Sequence, residues 1–109
     1  MKTALLFLVT LASVALPAAP RKLAVGATPE SVTRGFDGDL FVSLMGVSRK
    51  AGDGDGKIVR VHGETVTDFT TGLNDPKGTV FAGGFIITAD FDTVWKIDAK
   101  GNKLSLIHI

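Results

Sequence analysis

Gly72-Leu73-Asn74-Asp75-Pro76-Lys77-Gly78 separates two runs of short strands that share one internal order. Each run has a Pro-led strand, an apolar strand, a cation-bearing strand and a closing strand. Pro29 matches Pro76 at an offset of 47, and Phe41 matches Ile87 at 46. Ile58 matches Val94 at 36, because a loop over residues 46–56 lengthens the first copy by about ten residues. Lys57-Ile58-Val59-Arg60-Val61 then lines up with Thr93-Val94-Trp95-Lys96-Ile97, cation over cation. Such recurrence limits the chain to one supersecondary unit used twice.

The unit is built of strands. Leu40-Phe41-Val42-Ser43-Leu44 is rich in residues that suit a pleated, buried surface. Residues 57–61 alternate polar and apolar with period two, which is a strand covered on one face. Further strands are expected over 29–34, 65–69, 79–81, 85–89, 93–97 and 104–109. Turns are expected at Asp37-Gly38, His62-Gly63-Glu64, Gly83-Gly84 and residues 98–102, with a loop or edge strand over 20–28. No apolar stripe keeps a 3.6-residue period, so no helix is expected. A period in the forties made of four short strands is the spacing of a β-propeller blade. The expected fold is therefore all-β: two four-stranded antiparallel blades of an incomplete β-propeller. The alternative is a single antiparallel sandwich with strands alike in composition.

Lys2, the apolar run over 4–16 and the small residues Ala18 and Ala19 describe a secretory signal peptide. The run is shorter than the roughly 20 residues a membrane span needs, and Pro17 closes it. The division read from the sequence is a signal peptide over 1–19, a lead over 20–28, a first blade over 29–75 and a second over 76–109. Periplasmic or secreted localisation follows, with no membrane association after cleavage. The chain has 12 Lys+Arg and 11 Asp+Glu, and without Lys2 the balance is 11 to 11. With no basic block, nucleic acid is not a favoured partner. With no cysteine, an exported domain rests on its core rather than on disulfides. Propellers close with 4–8 blades. Two blades therefore suggest the N-terminal part of a longer ring, or self-association, for example three copies giving six blades.

Pro29-Glu30-Ser31-Val32 followed by Asp37-Gly38-Asp39-Leu40-Phe41-Val42-Ser43 resembles the opening blade of the senescence-marker-protein/gluconolactonase family. Gly72-Leu73-Asn74-Asp75-Pro76-Lys77-Gly78 and Ile87-Thr88-Ala89-Asp90 are similar to blade junctions of NHL-type and gluconolactonase-like propellers. The resemblance covers about residues 28–109 and is more specific for the superfamily than for one activity. It implies a six-bladed ring whose enzymes hydrolyse sugar lactones or related esters with a divalent metal, calcium or zinc, on the axis. Glu30 stands where that family places one ligand, but Ser31-Val32 follows it where family enzymes carry Gly-Pro and an aromatic. The family's Asn and Asp ligands come from later blades.

The other polar residues read as structural. Asp53-Gly54-Asp55-Gly56 suggests a calcium loop, but Lys57 and Ile58 stand where an oxygen ligand and the turn glycine belong. Gly56-Lys57 lacks the first glycine and the Ser/Thr of a phosphate loop. Asp90 and Asp92 face either the propeller mouth or their own turn, and Asn74-Asp75-Pro76 initiates a turn. His62 and His108 form no triad, His62 is a surface turn residue, and Trp95 packs between blades. No catalytic residue is assigned. Two functions fit, a metal-dependent lactone hydrolase in the full ring with Glu30 as ligand, or a non-catalytic exported propeller binding a sugar lactone-like small molecule or a protein; the remaining alternative is an inactive truncated fragment.

Overall fold

A computed structural model describes residues 19–47 and 53–108. Apart from Ala19, the expected signal peptide lies outside the described residues, as do Arg49 and Lys50. Eight strands follow in order: β1 Pro29–Arg34, β2 Leu40–Leu44, β3 Gly56–His62, β4 Thr65–Leu73, β5 Thr79–Ala82, β6 Phe85–Ala89, β7 Thr93–Ile97 and β8 Lys103–His108. They form two four-stranded antiparallel sheets, each a meander in chain order. The one helical piece among the described residues is a 3-10 turn at Phe36–Gly38. Residues 20–28 form no strand.

Turn chemistry sets the meanders. Ala82 pairs with Phe85 across a two-residue loop, which requires left-handed backbone. Gly83 (φ 60°) and Gly84 (φ 81°) supply it without a Cβ penalty.

β4 runs further than the sequence suggests, and takes Gly72 and Leu73 out of the joint. Leu73 pairs with Gly56 and is fully buried in the core between the sheets. Gly56 permits this closure: a Cβ there would stand 2.5 Å from the Asn74 carbonyl oxygen and 2.5 Å from the Pro76 ring. The connection is thus residues 74–78.

Register sorts the side chains into faces, because opposed residues in antiparallel strands share a side. Thr33, Phe41 and Arg60 form one row of the first sheet; Ser31, Ser43, Ile58 and Thr70 form the next. This face meets the second sheet's row Phe81, Ile86 and Ile97. Phe41, Ile58, Leu73, Ile86 and Ile97 make one fully buried cluster drawn from both sheets. Phe36 bridges the seam, with ring centroids 5.8 Å from Phe41 and 5.0 Å from Phe81, both edge to face. Such pairs contribute about 0.5–1.5 kcal/mol each beyond their buried area.

The opposite face of the first sheet carries Val42, Leu44, Val59 and Val61, with Leu40, Val66 and Val25 packed against them. Val25 comes from the lead. Two backbone bonds fix that segment to the end of β2, from Met45 N–H to the Thr28 carbonyl and from Gly46 N–H to the Ala27 carbonyl. Arg21 reaches Glu64 at the β3–β4 turn. The lead is a strap across the outer face of the first sheet.

Candidate functional site

β1 and β5 lie side by side at the seam. The β1–β2 register slips between Pro29, opposite Leu44, and Ser31, opposite Ser43. Glu30 therefore occupies a bulge, the irregularity that turns a side chain out of the ladder. Its carboxylate is exposed, beside a shallow depression lined by Pro29, Ser31, Val32 and Val42. Ser31 and Ser43 lock the neighbouring backbone. Their hydroxyls lie 2.6 and 2.8 Å from the Lys77 carbonyl oxygen and 2.9 Å from each other. This lock holds the segment bearing Glu30 against the segment bearing Lys77. Lys77 is the residue that the 47-residue offset matches to Glu30, so equivalent positions carry opposite charges.

Among the described residues Glu30 is the one carboxylate at this depression, fewer donors than the four that zinc or the six or more that calcium takes. Around Glu30 stand two valines, a proline and a serine hydroxyl already engaged with a carbonyl. Among the described residues no group of three or more His, Asp or Glu side chains converges to hold an ion.

The other acidic groups have structural duties. Asp55 Oδ2 accepts from Val47 N–H at 3.0 Å, and Asp53 Oδ1 from Asp55 N–H at 3.3 Å. Asn74 Oδ1 accepts from Gly54 N–H at 3.2 Å. Together they tie the ends of the long loop to the joint. Asp90 does more than anchor its own turn. It accepts from Phe91 N–H at 2.8 Å, and also from Asp75 N–H at 2.6 Å, Asn74 N–H at 2.9 Å and the Trp95 indole N–H at 3.3 Å. Four donors on one carboxylate fasten the joint to the second sheet. Asp75 is 7% exposed, and its Oδ1 has no hydrogen-bond partner among the described residues. Trp95 is half-buried against the core between the sheets. The side chain of His108 lies outside the described residues.

A network missed by sequence reasoning centres on Asp39, which is 8% exposed. Its Oδ1 lies 2.7 Å from His62 Nδ1, and its Oδ2 accepts from Arg60 Nε at 2.6 Å. Arg60 continues to Asp37 at 3.1 Å and sits over the Phe41 ring, 5.3 Å from its centroid. The hydrogen bond to His62, then that to Arg60, holds the Asp39 carboxyl below its usual range. An ionised carboxylate only accepts, so Nδ1 of the exposed His62 ring is the donor in this pair. The turn reading of His62 omits this partner. The available signal was the short distance in sequence between Asp39, at the start of β2, and the antiparallel strand that carries Arg60 and His62.

No protein-family model, no curated protein and no solved structure matches the chain.

Proposed function

We propose that this chain is an exported, propeller-type binding module of the gluconolactonase-like class, and that it binds a polar small molecule at the inner-strand ends. The observation that carries this reading is the exposed Glu30 carboxylate, turned out by the β1 bulge, on a segment tied through Ser31 to the backbone of Lys77, whose ammonium lies 3.6 Å from Met45 Sδ. A carboxylate and an ammonium on neighbouring segments suit a ligand with both hydroxyl groups and a negative or carbonyl oxygen, as sugar lactones and their open hydroxy acids have. The recurrence of one meander in matched register, with β1 and β5 adjacent, supports the propeller architecture.

A second reading, lactone or ester hydrolysis, rests on the exposed Glu30 carboxylate at the family's ligand position. Calorimetric titration with gluconolactone and gluconate, with and without calcium or zinc, separates the two. The binding reading expects heat of binding without metal, weakened by Glu30→Ala and by Lys77→Ala, and no lactone turnover in a pH-stat. Metal-dependent turnover abolished by Glu30→Ala would replace it with the hydrolase reading. No binding and no turnover would overturn both.

A further inference from the structure

The two sheets present the same positions on the same side. Thr33, Phe41 and Arg60 of the first sheet match Val80, Ile87 and Lys96 of the second, and Ile58 matches Val94. In the first sheet Phe41 and Ile58 pack on Ile86 and Ile97 of the second. In the second sheet the matching positions face outward, with Leu104 and Ile107 of β8 in the same rows. Val80, Leu104 and Ile107 are 55%, 65% and 57% exposed. The central cation does not stand up from this face: Lys96 Nζ lies 3.9 Å from the centroid of the Phe85 ring. Among the described residues nothing covers the face. The first sheet's outer face, by contrast, is strapped by the lead.

We infer that the outer face of the second sheet docks the first sheet of another copy of this chain, head to tail. The contact would be the internal seam repeated, with the strap of that copy lifted from Val42, Leu44, Val59 and Val61. The occupant is argued from continuity with the seam. The bare face carries the contact-making register of the first sheet, and its complement is the side of a sheet that lies one unit along. Among the described residues that side is found on the second sheet, where it is already used, and on the first sheet. A face-to-face pairing of two second sheets would instead oppose two copies of the same register, which the seam does not do. The inference rests on the repeat reading above but does not need the ring to close.

Repeating the β1–β5 contact puts Val80 of one copy beside Val32 of the next. Val32 is exposed on the first sheet's outer row, opposite Val42. The native chain has no cysteine, so single cysteines report cleanly. Val32→Cys and Val80→Cys chains are oxidised separately and as an equal mixture, and molar mass is followed by light scattering over a concentration series. The expected result is a disulfide-linked species in the mixture and in neither variant alone, with Val80→Lys and Leu104→Lys each weakening association about tenfold or more. Both lysine sites are exposed, and circular dichroism verifies that the variants fold. A wild-type chain that stays monomeric at every concentration, or a Val80→Cys chain that cross-links to itself, would overturn the docking. A mixed cross-link within open polymers would uphold the docking and overturn the closed ring; a mixed cross-link at three times the chain mass supports both.

Discussion

The first sheet is sandwiched, with the second sheet on one side and the strap on the other, whereas among the described residues the second sheet is covered on one side only. Matched positions show what that difference does. Phe41 is fully buried and its counterpart Ile87 is half-buried; Ile58 is fully buried and Val94 half-buried. Arg60 finds two aspartates, while Lys96 settles over a phenyl ring. Ser31 and Ser43 grip the Lys77 carbonyl, and the positions matching them, Gly78 and Ala89, carry no hydroxyl. One backbone plan thus supports a locked interface in the first unit and a plainer apolar surface in the second. The strand ladder sets the plan, and the side chains decide how tightly each face closes.

The largest test of that contrast is truncation at the matched pair. Phe41→Ala removes the ring shared by Phe36, Phe69 and Arg60 and should cost roughly 3–5 kcal/mol in chemical denaturation. Ile87→Ala should cost about 1 kcal/mol in the monomer. Equal losses would mean that the second sheet's outer face is as well packed as the first sheet's inner one.

Asp90→Ala leaves the amides of Asn74 and Asp75 without their acceptor and should cost roughly 2–3 kcal/mol. It should also speed amide exchange at those two residues more than within β2 or β3. Unchanged exchange there would show that the joint is held by Gly56 and Pro76 packing instead.

Acid should loosen the first sheet through Asp39. Its pKa is depressed in the folded chain, so its contribution is present above the ordinary aspartate value and is lost as pH falls through the folded one. Urea midpoints are therefore expected to fall below about pH 4, and Asp39→Asn should flatten that slope. Asp98, held low by the amides of Asn102 and Lys100, should leave a residual slope in the variant. An unaltered profile would remove Asp39 from the account.

The smallest effect belongs to the strap's end. Arg21 and Glu64 are both mostly exposed, and Arg21→Ala should change stability by about 0–1 kcal/mol. A larger loss would make this ion pair, rather than Val25 and the Thr28 and Ala27 carbonyls, the fastening of the strap.

Much of the architecture was legible because it depends on local pattern. The expected strands at Leu40–Leu44, Phe85–Ala89 and Thr93–Ile97 match β2, β6 and β7 residue for residue. β4 was read short because Thr71-Gly72-Leu73 resembles a turn. Its extension depends on Leu73 finding a buried place opposite Gly56, which no local window contains. Period two placed Arg60 on a face but could not name Asp39 as its partner. For Asp90 the sequence leaves a choice between the propeller mouth and its own turn, because its bonds to Asn74 and Asp75 reach 16 and 15 residues upstream. Glu30 was singled out by resemblance, while the bulge that turns it outward is a property of register.

The four-donor grip of Asp90 also bears on the order in which the chain is made. A growing chain can complete the first meander once Leu73 has emerged, since all its pairings lie upstream. The amides of Asn74 and Asp75 then wait for an acceptor that is synthesised 16 and 15 residues later, so during that interval the joint is fastened by the Lys77 carbonyl and the Asn74 side chain. At that stage only β5 and β6 of the second meander exist, and the arrival of Asp90 adds the last of these fastenings to the joint. Pulse-labelled amide exchange on stalled nascent chains would see this as protection at Asn74 that begins only after residue 90 has cleared the ribosome.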